Sequence, residues 1–398
     1  MRFFAYCLLL LGSGLFSDRD YNLFSIPFAT EITLAGLTLY SFGFILTSKT
    51  YSTEFIKLGL SYILIALCAL IISTLIAGIS FGQPAHLGII TERKTLLCLS
   101  FFPAYYLLRS EIGLRHHSMY RFIMGVAILS ATASWVFQQT IVVTLDEEGF
   151  REDRAGVGVG MICMAILWMA ARWLFPATAG NGRIRDGRSG SRIGQMGLLA
   201  AIIYLFLTMI FVAQTRQFLI ALVVPIALYY LLIFAGKPQR GTLWGATVLF
   251  GALLVNLDWE LVLSIFSSDY LEFSARSKTY SIIWQLFLDN PLIGRGALNP
   301  DFHGGFKSLY HSFFFLADVG IAGTQYRFGI FGPLILIAYL GYLFKKTLAL
   351  PASETKVFLL LYFSFVAVCL PVGTFIEHRG FMFGIVLAVL VVERERHR

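Results

Sequence analysis

Leu58–Ile79 reads LGLSYILIALCALIISTLIAGI, 22 residues without a single charge. A bilayer's hydrocarbon core is about 30 Å thick, and a helix rising about 1.5 Å per residue crosses it in roughly 20 residues. Backbone N–H and C=O groups find no water there, so a lipid-embedded segment must satisfy them internally, as a helix. A membrane β-strand would instead alternate apolar and polar residues. That alternation is missing from this stretch.

Similar runs recur on both sides of it. They predict an all-α, polytopic membrane protein of about 12 transmembrane helices, at 3–16, 29–47, 57–80, 95–108, 122–144, 156–175, 197–213, 217–235, 241–257, 325–344, 356–373 and 380–392. Composition agrees: 57% of residues are hydrophobic and 14% charged, against about 45–50% and 25% in soluble domains. The first run follows Arg2. It reads either as a cleaved signal peptide or as a retained helix, and the lack of a small-residue cleavage site favours the retained helix.

The net charge of +8 comes from clusters in alternate loops. This is a topology signal and excludes a nucleic-acid-binding surface as its explanation. One set of loops holds 19 of the 31 Lys and Arg residues, and the other holds 17 of the 23 Asp and Glu residues. Positive residues stay inside, which places both termini in the cytoplasm and requires an even number of spans. Cys7, Cys68, Cys98, Cys163 and Cys369 all fall in apolar runs, so buried thiols are expected, with no disulfide framework and no zinc site.

Three regions follow. Residues 1–257 carry predicted helices 1–9. Residues 258–324 form a large outer-face loop subdomain with a re-entrant or interfacial segment, between helices 9 and 10. Residues 325–398 carry helices 10–12 and a cytoplasmic tail. The loop from Asp258 to Ser308 holds Trp259, Tyr270, Trp284 and Phe287. It also holds a helix-like stretch, Phe273–Leu288, which Asn290-Pro291 should end. A loop this long is functional or disordered, and its aromatic content argues for a folded one. The segment 177–195, rich in Gly, Arg and Ser, reads as a connector.

Four places could carry chemistry. Arg216 stands in the short polar break Gln214–Gln217 between two apolar runs. It reads as a functional charge at the membrane surface or as a snorkelling interfacial arginine. Arg276 and Lys278 open the loop helix. Cations are unfavourable at a helix N-terminus unless an anion binds there, and the alternative is a solvated face. Gly294-Arg295-Gly296 allows a tight turn or a close backbone approach. Tyr310-His311 opens an apolar run of about 12 residues, too short for a span, followed by Asp318, Gly320 and Gly323. There His311 is either a base near neutral pH or a structural histidine.

In order along the chain, Thr215-Arg216 opens a span and a long outer loop follows. That loop holds Arg276, Trp284 and Asn290–Gly296, and His311-Ser312 with Leu316, Gly320 and Gly323 closes the pattern. This order resembles the bacterial O-antigen ligase and polymerase superfamily over about 215–323; the N-terminal half matches in helix count alone. Members often carry Asn after the histidine and Glu before the first glycine of the final pair. Here those positions hold Ser312 and Asp318.

The resemblance implies an inner-membrane enzyme of polysaccharide assembly. It would move a glycan from undecaprenyl diphosphate to an acceptor hydroxyl at the periplasmic face, without cofactor, metal or nucleotide sugar. Arg216 and Arg276 would hold the diphosphate. His311 would act as general base, or would orient the acceptor or bind phosphate. Lys278, Arg295, Tyr310 and Asp318 would line the substrate site. The acceptor would be the lipid A core, as in a ligase, or a lipid-linked repeat, as in an O-antigen or exopolysaccharide polymerase; the single large late loop leans towards the ligase. The rival from another class is a lipid-linked oligosaccharide flippase. Candidate residues gathered at one face, with no internal repeat, favour surface chemistry over transport.

Overall fold

The computed structural model describes residues 1–16, 26–48, 51–110, 117–141, 158–178, 192–212, 216–234, 275–311, 314, 316–371, 373–376 and 379–397. The predicted span 241–257 and the first part of the long loop lie outside the described residues. In chain order the elements are α1 (Arg2–Leu11), α2 (Ala29–Thr47), a π-helical turn (Phe55–Leu60), α3 (Ser61–Phe81), α4 (Ala85–Glu92), a 3-10 stretch (Arg93–Ser100), α5 (Phe101–Arg109), α6 (His117–Ile141), α7 (Val159–Thr178) and α8 (Arg192–Leu207). A second π-helical turn (Thr208–Val212) leads to α9 (Arg216–Phe234). Then come α10 (Ala275–Asp289), α11 (Gly305–Leu309), a 3-10 turn (Leu316–Val319), α12 (Gly320–Phe328), α13 (Phe331–Leu348), α14 (Glu354–Cys369) and α15 (Gly380–Arg396). Among the described residues all regular structure is helical.

Among the described residues, four helices are long and apolar enough to cross a membrane: Ala29–Thr47, Phe55–Phe81, Ser118–Val136 and Phe331–Leu348. The second contains the uncharged stretch Leu58–Ile79. Its Leu64, Leu67, Ile71, Leu75 and Ile79 recur at helical spacing and are all exposed, Ile79 at 87%. A stripe of that kind is unfavourable against water and at rest against lipid tails. Cys68 lies exposed on this helix, whereas Cys98, Cys163 and Cys369 are buried. The expectation of buried thiols therefore fails at Cys68, because a lipid-facing stripe needs only to be apolar.

The opposite environment surrounds α15. Every residue from Phe383 to Val392 is buried, Gly384 included. A helix apolar on all sides belongs in a core. It packs on α5, on the 3-10 stretch and on the first π-helical turn. Gly384 permits the contact, since a Cβ there would sit 2.9 Å from Cys98 O and Phe101 N. Around this axis α14 packs on α7 and α9, and α6 on α7.

Two of the differences from the expected boundaries have a visible cause. The run predicted at 95–108 is preceded by α4, which folds back on α3 with Gly88 against Thr74. The run predicted to start at 325 begins at Phe331 instead, because Gly329 (φ +65°) ends α12 by donating its N–H to Gln325 O at 2.8 Å.

Candidate functional site

The site begins with how the 291–300 segment is anchored. Asn290 ends α10, and the chain then runs along α12 and α3. Arg295 N–H donates to Tyr326 O at 2.7 Å and Gly296 N–H to Arg327 O at 3.2 Å. Gly296 has φ +73°, and a Cβ there would lie 2.5 Å from Ala77 N and closer still to Ser73 O. At Gly294 a Cβ would collide with the Arg327 carbonyl. The two glycines therefore let backbone press against backbone. Gln83 clamps the end of the segment: its Nε2 donates to Ala297 O (3.3 Å), and its Oε1 accepts from Asn299 N–H (2.6 Å).

Beneath this anchor lies a charge pair. Arg327 Nη1 is 3.3 Å from Glu92 Oε2, and Ser73 Oγ donates to Glu92 Oε1 at 2.8 Å. Arg327 and Glu92 are 9% and 5% exposed. Buried charges persist only when paired and hydrogen-bonded. This pair joins α12 to α4 and α3.

The anchor carries α10, which packs on α12 over a small core of Ile283, Phe314, Leu316, Val319 and Tyr326. Phe306, Tyr310, Phe314 and Tyr326 form an aromatic cluster, and the Tyr310 and Tyr326 hydroxyls are hydrogen-bonded at 3.1 Å. Next to this cluster stands His311. Its Nε2 is hydrogen-bonded to Thr279 Oγ1 at 3.1 Å, and its ring lies edge-on to Phe314 at 5.6 Å. Thr279 is 1% exposed, so the hydroxyl that holds the imidazole is itself held by packing. Burial pushes the His311 pKa below its usual value, and the nearby Lys278 ammonium pushes it further down. Both influences favour the neutral ring, the form able to accept a proton.

This region meets the bundle where α14 ends. Tyr280 Oη donates to Pro371 O at 2.5 Å, and Ile321 N–H to Leu370 O at 2.8 Å. Gly320 (φ +46°) gives room for that contact, as a Cβ would sit 2.5 Å from Gly373 N. Arg379 lies at the same end. Its guanidinium is 4.8 Å from the ring centre of Phe218, in the first turn of α9, and its Nη1 donates to Gly373 O at 3.2 Å.

The structure thus brings Lys278 and His311 together and seats Tyr310 in the aromatic cluster beside them. Arg295 is half-buried, on the segment that rests on α12. The backbones of Arg216 and Arg276 lie in the first turns of α9 and α10, and Asp318 lies in a 3-10 turn. The side chains of these three lie outside the described residues, as do Ser312 and His378. His303 is exposed at φ +51°.

Sequence reasoning missed Thr279, Tyr280, Arg379 and the Glu92–Arg327 pair. Arg379 carried a usable signal, the same one that marked Arg216: an arginine directly before an apolar run. Thr279 carried none, since its partner is 32 residues away. No protein-family model and no curated protein matches the chain.

Proposed function

We propose that the protein is a membrane glycosyltransferase of about 12 spans. It would transfer a glycan from undecaprenyl diphosphate to an acceptor hydroxyl at the periplasmic face of a bacterial inner membrane. The observation that carries this reading is an imidazole held by a buried hydroxyl, Thr279 on His311 at 3.1 Å, on the helix that opens with Arg276 and Lys278. A base poised this way suits deprotonation of a sugar hydroxyl. Cations suit a diphosphate leaving group, on which negative charge grows in the transition state.

The acceptor hydroxyl gives its proton to His311, and its oxygen attacks the anomeric carbon. The bond from that carbon to the phosphate oxygen breaks, and its electron pair leaves with undecaprenyl diphosphate. The imidazolium then returns its proton to solvent or product. Arg216 and Arg276 hold the diphosphate, with Lys278, Arg295, Tyr310 and Asp318 around the substrate. The donor's negative charge raises the His311 pKa on binding. Burial and Lys278 oppose that rise and keep the base form available. The lipid A core is the favoured acceptor, and a second lipid-linked repeat is the alternative.

A second reading, a lipid-linked oligosaccharide flippase, draws on the Glu92–Arg327 pair, because ionisable groups buried among membrane helices often mark a transport path. Reconstitution separates the two. Vesicles holding the full chain and undecaprenyl-diphosphate-linked glycan receive lipid A core or a second repeat. Glycan transfer with release of undecaprenyl diphosphate is expected, and it should fall by about 10²-fold or more in His311→Ala, Arg216→Ala and Arg276→Ala. Movement of the lipid across the bilayer with no new glycosidic bond would overturn the transferase reading.

A further inference from the structure

We infer that Arg379 is a further diphosphate-binding residue, completing the cationic end of the donor site; the inference rests on the diphosphate-recognising part of the reading above. Its position is built. The guanidinium lies on the Phe218 ring at 4.8 Å, and that ring in turn stacks on Phe365 of α14 at 6.0 Å. Cation–π contact and the hydrogen bond to Gly373 O together fix the plane and direction of the group. The half-buried guanidinium is also hydrogen-bonded to the Cys369 thiol, and its five N–H donors exceed the ones given to Gly373 and Cys369. Phe218 is two residues beyond Arg216, in the first turn of α9. The contact therefore places the Arg379 cation at the same helix end as Arg216.

The 370–379 segment also touches the other half of the site. It accepts the Tyr280 hydroxyl at Pro371 O, one residue along α10 from Thr279, which holds His311. Arg379 and Pro371 thus tie the end of α14 and the start of α15 to α9 on one side and to α10 on the other. Two cations on different helices suit the two phosphates of a diphosphate better than a single charge does, since planar guanidinium groups grip such oxygens two at a time. Glycine at 373 makes the arrangement possible: a Cβ there would lie 2.6 Å from Arg379 Cζ and 2.7 Å from Nη2.

The test measures binding of two probes, undecaprenyl diphosphate and uncharged undecaprenol, to the full chain in nanodiscs, alongside thermal melting. Arg379→Gln should weaken the diphosphate by about tenfold to a hundredfold and leave the alcohol unchanged. Arg379→Lys should recover part of the loss. Gly373→Ala should reproduce the selective loss with residue 379 intact, because the new methyl displaces only the flexible end of a side chain. Unchanged diphosphate affinity in Arg379→Gln and Gly373→Ala overturns the inference. So does an equal loss for both lipids accompanied by lowered melting, which is the pattern of a purely structural arginine. Diphosphate binding that depends on Arg379 in a wild-type protein that transfers no glycan would sink the transferase reading and leave this inference standing.

Discussion

Replacing Gly296 with alanine should detach the 291–300 segment from α3. Two costs add. At φ +73° the backbone is left-handed, where a Cβ costs about 1–2 kcal/mol. The new methyl would also lie 2.5 Å from Ala77 N and 2.8 Å from Ala77 Cβ, against a helix backbone that cannot turn aside. Overpacking of that kind costs typically about 1–3 kcal/mol. The sum, about 2–5 kcal/mol, is large against the hydrogen bonds from Gln83 and to Arg327 O that hold the segment, each worth about 0.5–1.5 kcal/mol net. Local release is the expected response. Hydrogen–deuterium exchange over 294–299 should speed up, and melting in detergent should fall. Gly341→Ala on α13 is the control: nothing lies within 4 Å of its Cβ, and alanine in a helix is favourable by about 0.5–1 kcal/mol. Should Gly296→Ala melt and exchange like Gly341→Ala, the close-approach role assigned to this glycine is wrong.

Two further outcomes concern the imidazole. Thr279→Val keeps shape but removes the hydroxyl on Nε2, so the ring loses its orientation; transfer should drop about 10–100-fold and Thr279→Ser should restore most of it, whereas equal rates in all three would show that the 3.1 Å contact is incidental. Lys278→Gln removes one of the two influences that lower the His311 pKa. The pKa therefore rises towards its ordinary value, the ring is protonated at higher pH, and the acid limb of the kcat/KM profile moves up in pH, while loss of a substrate-lining cation lowers the plateau above it. A limb that does not move would mean that His311 is not the group being titrated.

Much of this architecture was legible in the chain because lipid imposes a simple rule. Uncharged runs such as Leu58–Ile79 must be helices, and the structure is helical over Phe55–Phe81. The Asn290-Pro291 stop was legible for a similar local reason: proline disfavours helical geometry in the residue before it, and α10 ends at Asp289. Hydropathy says nothing, however, about which side of a helix meets protein. Cys68 on an exposed stripe and the enclosed stretch Phe383–Val392 of α15 look alike as letters, and only packing separates them.

The site divides along the same line. Residue types and spacing pointed to His311, Arg276 and Lys278, since the proposed transfer needs a base and cations together. The use made of Gly294 and Gly296 became clear only from the helix surface they press on. Thr279 was invisible for a physical reason: it acts through a ring 32 positions away. Arg379 stood in plain view before an apolar run, but its seat on Phe218 of α9 became clear only from the packing. Local sequence governs which segments can leave water and become helices. Which side chains then face one another depends on how the helices dock, and docking is a sum over contacts that no single segment contains.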